Sequence, residues 1–230
     1  MEHIKTCIFD LDGVICDTAK YHFLAWKALA DELGICFTKQ DNERLKGVSR
    51  MDSLDILLSL SDTVWPEEQK QVFAEQKNRL YVEYISSMNQ DEILPGVLPF
   101  LTYCRNNEIR TALGSVSKNA GMILERLKLG DYFDAVIDGT QVAKAKPDPE
   151  VFLKGAKQTG AEPSECIVFE DARAGIEAAG RAGMLAVGIG AEETLSNADF
   201  VISGFDVMEA QELLVTVNKI RRGDLDVFSY

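Results

Sequence analysis

The chain has 230 residues, 46% hydrophobic and 27% charged, which suits one good-sized folded core or a core carrying a smaller satellite. Its 37 acidic against 24 basic residues leave a net charge of −13, which repels nucleic acid and anionic membrane surfaces. No apolar run is long enough to span a bilayer, and the short acidic–basic opening Glu2-His3-Ile4-Lys5 does not read as a signal peptide, so a cytoplasmic protein is expected.

The first element is a buried strand over Lys5–Phe9 that runs into the polar loop Asp10-Leu11-Asp12-Gly13. From about Ala19 to Leu33 the periodicity turns helical, with Phe23, Trp26, Ala30 and Leu33 on one face. Helical patterns continue over Met51–Leu60 and Pro66–Met88, the second opened by Pro66-Glu67-Glu68. Pro95-Gly96 then breaks the chain. Beyond it, strands at Arg110–Leu113, Ala135–Ile137, Cys166–Phe169, Leu185–Ile189 and Phe200–Ile202 alternate with helices at Lys118–Leu129, Pro149–Thr159 and Ala174–Ala182. Alternation of this length predicts βαβ units and a parallel sheet. The first strand belongs to that sheet by type, although a helical block separates it from the rest. The expected fold is therefore α/β, a doubly wound parallel sheet with an inserted helical cap. Residues 1–15 and 91–230 form the discontinuous core and residues 16–90 the cap.

In an open parallel sheet, ligands bind beyond the carboxyl ends of the strands. Asp10 and Asp12 follow the first strand, Gly114-Ser115-Val116-Ser117-Lys118-Asn119 the second, and Glu170-Asp171 the strand at Cys166–Phe169. Lys146 lies beyond Ala135–Ile137, just before Pro147. Singly, each has a duller reading: turn-forming Asp, Ser115 or Ser117 as helix N-caps, Lys146 as a solvated charge. Gathered at one edge they describe a site. Carboxylates meeting at a point call for a hard cation, and oxygen-only ligands suit Mg²⁺. One carboxylate can then attack phosphorus, a second two residues on can move protons, and Lys146 and Ser115 can neutralise the transferring group. So acidic a chain has to concentrate cations at such a site. The five cysteines, odd in number and without a CxxC pair, signal neither a disulfide framework nor a zinc knuckle and read as structural.

Asp10-Leu-Asp12-Gly-Val, Ser115, Lys146-Pro147 and Glu170-Asp171 resemble, in order and spacing, the four motifs of the haloacid dehalogenase superfamily. The resemblance covers essentially the whole chain, and Asp12 with the acidic pair favours a phosphotransferase over a dehalogenase. It implies a Rossmann-like core, Asp10 as nucleophile, Asp12 as general acid/base, and Mg²⁺ held by Asp10, the Asp12 carbonyl, Glu170 and Asp171. Asp17-Thr18-Ala-Lys-Tyr21-His22 through Trp26, then Lys46-Gly47-Val48-Ser49-Arg50 with Ser53, and Ser115 to Asn119, resemble the hexose-phosphate mutases of that superfamily. By that likeness Arg50, with Ser117, Lys118 and Asn119, would hold a second phosphate. Thr18, Trp26, Ser53, Lys46, Gly47 and Val48 would line the sugar site, His22 would assist proton handling, and Lys77 would act from the cap on closure. The implied reaction interconverts β-D-glucose 1-phosphate and glucose 6-phosphate through a 1,6-bisphosphate, in a monomer that takes small sugar phosphates and neither nucleic acid nor membrane. A sugar-phosphate phosphatase on the same scaffold is the alternative, and a non-enzymatic phospho-acceptor module a remoter one. Ala172, where the mutases carry serine, and Val116, where they carry alanine, depart from the pattern without touching a ligand or the nucleophile.

Overall fold

Four buried residues make β1 (Thr6–Phe9), the opening strand of a computed structural model that describes residues 4–45 and 48–224. Four helices come next, α1 (Ala19–Glu32), α2 (Lys39–Glu43), α3 (Arg50–Leu58) and α4 (Glu67–Ile85), with no strand between them among the described residues. The chain continues through α5 (Val97–Asn106), β2 (Arg110–Gly114), α6 (Ala120–Leu127), β3 (Ala135–Ile137) and α7 (Glu150–Thr159). It ends with β4 (Cys166–Glu170), α8 (Arg173–Arg181), β5 (Leu185–Ile189), β6 (Phe200–Ile202) and α9 (Ala210–Arg222). No helix among the described residues is long and apolar enough to cross a membrane.

All six strands are parallel, in the order β3-β2-β1-β4-β5-β6, with Phe9 in register with Leu113 on one side and Phe169 on the other. Because side chains alternate along a strand, β1 divides its residues between two cores. Cys7 and Phe9 join Leu113, Ile167 and Phe169 beneath α5, α6 and α9. Ile8 joins Ala112, Cys166 and Val168 beneath α7 and α8. The first core is rich in aromatics: Phe9 stacks on Phe169 at 5.0 Å between ring centres, and Phe100 meets both edge-on. Cys7 and Cys104 in this core, and Cys166 in the second, are buried as small apolar groups.

The α1–α4 block has a core of its own, in which Trp26, Leu29 and Ala30 pack with Leu54, Leu57 and Ala74. Phe23 and Leu33 sit at its margin. The opposite side of the block, carrying Ala25, Tyr81 and Ile85, joins the sheet's first core instead. The two chain segments linking block and sheet run side by side: Cys16 forms an antiparallel bridge with Ile93, and the Leu94 N–H donates to the Ile15 carbonyl at 3.0 Å.

Three helices have no counterpart in the sequence reading. The α2 helix has only five residues, all polar or charged, closed by a Thr38–Asp41 capping box that leaves no apolar stripe to detect. The α5 helix begins directly after Pro95-Gly96 and carries Pro99 in its first turn, where a proline lacks only an N–H that has no helical partner. The amphipathic α9 closes the chain, where no following strand marks it as a crossover. The α6 helix starts two residues later than expected, because the hydroxyls of Ser115 and Ser117 accept the N–H groups of Ser117 and Asn119 and hold that stretch as a loop.

Candidate active site

The carboxyl edge of the sheet supplies the floor. The Asp10 N–H still donates to the Phe169 carbonyl at 3.0 Å, so the residue after β1 is fixed by the sheet itself. Its Oδ2 accepts the Asp12 N–H at 3.0 Å, and its Oδ1 faces Lys146 Nζ at 2.5 Å. The same ammonium reaches Glu170 Oε2 at 2.7 Å and lies over the Phe152 ring. Burial works to discharge Lys146, but the attraction of Asp10 and Glu170 outweighs it and holds the amine above its ordinary value. Glu170 goes the other way: burial, reinforced by Asp10 and Asp171, lifts its carboxyl to about 8 although Lys146 opposes the rise.

One oxygen from each of Asp10, Glu170 and Asp171 lies within 4.8 Å of the others. Three carboxyl groups converge around one ammonium, and the donors are all oxygen. That set fits a divalent, oxygen-seeking cation. Two glycines make the convergence possible. A Cβ at Gly13, where φ is +79°, would lie 2.2 Å from Asp171 Oδ2, and one at Gly175 would lie 2.0 Å from the Glu170 carboxyl.

The second wall is the loop after β2. Ser115 is buried, anchored through its N–H to the Ile137 carbonyl at 3.0 Å. Val116, Ser117, Lys118 and Asn119 follow along the cavity. Gly139 backs this loop so closely that a Cβ there would lie 2.1 Å from the Val116 carbonyl oxygen. At Ala172, the N-cap of α8, no side chain caps the helix, and the Glu170 carboxylate accepts the Ala172 N–H at 3.1 Å.

The helical block closes the cavity from the other side. Lys77 is buried between the faces of Trp26 and Tyr81, its Nζ 4.6 Å from each ring centre. Burial, with Arg50 nearby, lowers its amine to about 7 despite the pull of Asp12. Its Nζ is 2.8 Å from His22 Nδ1, while His22 Nε2 stands 3.8 Å from Asp12 Oδ2. Burial, then the charges of Lys77 and Arg50, keep His22 well below its ordinary value and hence neutral. As an ammonium, Lys77 can only donate to Nδ1, which places the ring proton on Nε2, toward Asp12. Burial and the neighbouring Asp10 raise Asp12 to about 7, with Lys77 and Lys146 pulling it back. A carboxyl in that range can release and retake a proton near neutrality. Arg50, the first residue of α3 and half-buried, has no ion-pair partner among the described residues.

These walls enclose a cavity of about 340 Å³ with a carboxylate floor and a cationic roof. Of the residues singled out from sequence, Asp10, Asp12, His22, Trp26, Val48, Arg50, Ser53 and Lys77 reach its surface, as do Ser115, Ser117, Lys118, Asn119, Glu170 and Asp171. Lys146 sits just beneath the floor, between Asp10 and Glu170. Thr18 is fully buried and not among the lining residues; it begins α1 with helical backbone angles, and its side chain makes no cap bond. Lys46 and Gly47 lie outside the described residues. The sequence reading missed Asn42, Asn78 and Tyr81, which also line the space. Their only sequence signal is that Asn42 stands one helical turn before Lys46, and that Asn78 and Tyr81 lie one and four places after Lys77.

A model of the haloacid dehalogenase-like hydrolases matches residues 4–183. The chain belongs to that family. Among its relatives, a β-phosphoglucomutase of Bacillus subtilis (strain 168) is 45% identical over 201 residues, covering 86% of this chain and 89% of the relative. A solved β-phosphoglucomutase from Clostridium difficile superposes with a TM-score of 0.90 at 41% identity, over 94% of this chain and 98% of that one. A phosphorylated carbohydrates phosphatase of Thermotoga maritima is 33% identical over 186 residues, 79% of this chain and 82% of the relative. Relatives named for isomerisation and for hydrolysis thus share one haloacid dehalogenase-like scaffold with this chain. Membership of the haloacid dehalogenase-like hydrolases and the Asp10–Glu170–Asp171 cluster agree on a divalent metal.

Proposed function

We propose that the chain is a phosphoglucomutase that interconverts β-D-glucose 1-phosphate and glucose 6-phosphate through phosphorylated Asp10 and β-glucose 1,6-bisphosphate. The observation that carries this reading is the two-ended cavity. A carboxylate floor receives the phosphoryl group in transfer, and on the far side Arg50, without a carboxylate partner among the described residues, suits the phosphate that is not reacting. The 45% and 41% identities to proteins named β-phosphoglucomutase support it.

In this reading a sugar hydroxyl attacks the phosphorus on Asp10. The bond from phosphorus to the Asp10 carboxylate breaks as the new P–O bond forms, and Asp12 takes the hydroxyl proton. The bisphosphate turns end for end, and the Asp10 carboxylate then attacks the other phosphate while Asp12 returns the proton to the leaving oxygen. Neutral His22 steers Asp12 through Nε2–H, Lys146 orients Asp10, and the Ser115 hydroxyl faces the transferring oxygens. Asp10, the Asp12 carbonyl, Glu170 and Asp171 would hold Mg²⁺, which when bound offsets the negative charge of the phosphoryl group. Residues 16–90 act as a cap on a core formed by 1–15 and 91–230, and closure keeps water from phosphorylated Asp10. In this reading the protein is a monomer working in the cytoplasm on small sugar phosphates.

The test is glucose 6-phosphate formation from β-glucose 1-phosphate with Mg²⁺ and a trace of bisphosphate, with free phosphate measured in parallel. Fast isomerisation with little free phosphate is expected, abolished in Asp10→Asn. Free phosphate without glucose 6-phosphate would mean a phosphatase and overturn the reading of the roof.

A further inference from the structure

One contact between the helical block and the sheet edge plays no part in the mechanism above. The Asn119 Nδ2 donates to the Asn78 Oδ1 at 3.0 Å, across 41 residues of sequence. It is the only side-chain hydrogen bond between α4 and residues 115–119 among the described residues. Both amides line the cavity.

The geometry at Asn119 is unusual for its position. Asn119 is the N-cap of α6, where an asparagine side chain normally turns back to accept an N–H of the first helical turn. Here it makes no cap bond, and the Asn119 backbone N–H is instead accepted by Ser117 Oγ at 3.3 Å. The side chain has been given up by its own helix and turned to the cap. A primary amide has two N–H groups and a carbonyl in one plane. With one N–H committed to Asn78, that plane is set, and the second N–H and the Oδ1 of Asn119 keep no partner among the described residues. They are left to the cavity, on the loop that also carries Ser117 and Lys118.

We infer that Asn78 is a positioning residue: its carbonyl orients the Asn119 amide toward the non-reacting phosphate and latches α4 onto the phosphate loop, so that binding at that end and cap closure are one event. This rests on the two-ended reading of the site. Because the bond joins the cap helix to the core loop, it exists only while the two are together. A substrate that presents a phosphate to the Asn119 amide gains its full contact only while Asn78 holds that amide in place, and so favours the closed form in which water is kept from phosphorylated Asp10. A monophosphate lacking that contact closes the cap less completely.

The experiment is a double-mutant cycle on the full chain with Asn78→Ala, Asn119→Ala and the pair, read in the primed isomerisation assay. Asn78→Ala is expected to raise KM about three- to tenfold, the range for one lost hydrogen bond, and to raise free phosphate per glucose 6-phosphate formed. In the Asn119→Ala background the same change should add almost nothing, since Asn78 acts through Asn119. Independent, multiplying effects would assign Asn78 a merely structural part and overturn the proposal, as would unchanged KM and phosphate release in Asn78→Ala. Small-angle scattering of the four proteins without ligand separates this from failure of the functional reading. If the wild type makes no glucose 6-phosphate, the latch still requires that Asn78→Ala and Asn119→Ala each enlarge the radius of gyration and that the pair enlarge it no further. Radii equal to the wild type would refute the latch whatever reaction the site performs.

Discussion

The floor and the roof of the cavity are both charged, yet they are built in opposite ways. On the floor the groups are tied to one another: Lys146 answers Asp10 and Glu170, the Asp12 N–H answers Asp10, and Gly13 and Gly175 leave room for Asp171 and Glu170 to converge. On the roof the cations are held apart from carboxylates. Arg50 has no ion-pair partner among the described residues, and Lys77 is faced by two aromatic rings and a neutral imidazole. A floor so determined can perform one chemistry on many substrates, which is what relatives of different names on one scaffold require. The roof, whose cations have no carboxylate ion pair among the described residues, is in the proposed reading what selects the anion.

Breaking the roof at its most exposed charge should have the largest effect. Arg50→Ala is expected to reduce glucose 6-phosphate formation by roughly 10²–10³-fold, because a charge-assisted bidentate contact to phosphate is worth several kcal/mol in a closed site. Hydrolysis of a simple monophosphate, measured beside it, should fall far less. Equal losses in both assays would mean that the roof serves the floor's chemistry and is no second phosphate site.

A smaller effect tests the floor. In Gly175→Ala the added methyl would press on the Glu170 carboxyl, so the affinity for Mg²⁺ should drop about 10–100-fold, as for other disturbed metal-ligand supports. Calorimetric titration would show it. Unchanged affinity would remove Glu170 from the metal set.

The smallest expected effect concerns stability and returns to the roof. Lys77 keeps its proton up to about 10.5 when unfolded but only to about 7 when buried in the fold. Its burial therefore costs stability in full below pH 7, and the cost fades as pH rises from 7 to 10.5. Lys77→Met should raise unfolding stability by roughly 1–2 kcal/mol at pH 6 after allowing for the lost ring contacts, and by little at pH 10. Urea titrations at the two pH values would check it; the same gain at both would mean that packing and not charge is responsible.

Much of the floor could be read directly, because its carboxylates and Ser115 stand at or just beyond the ends of apolar strands. Asp10 and Asp12 follow β1, Ser115 follows β2 and Glu170-Asp171 closes β4, and a parallel sheet brings those ends together by its topology alone. The roof was less legible. Trp26 and Lys77 were named, but only the packing of α1 against α4 puts the ammonium between Trp26 and Tyr81. Thr18, expected at the substrate, is fully buried and outside the cavity lining. Asn42 and Asn78 carry no pattern of their own on helices whose periodicity reports burial and not chemistry. The helices α2, α5 and α9 went unread where short length, an early proline or the lack of a following strand removed the usual signal.

Sequence alone thus determined the strands, their parallel pairing and the set of acidic, hydroxyl and lysine groups at one edge, because strand periodicity and the residues at strand ends are local properties. Tertiary structure alone decided which charges are answered and which are left open. Whether Glu170 is lifted to about 8, Lys77 lowered to about 7 or Arg50 left unpaired depends on distances between groups far apart in the chain and on how much water their packing excludes. Those are properties of the folded arrangement of the α1–α4 block against the sheet edge, and no stretch of sequence states them.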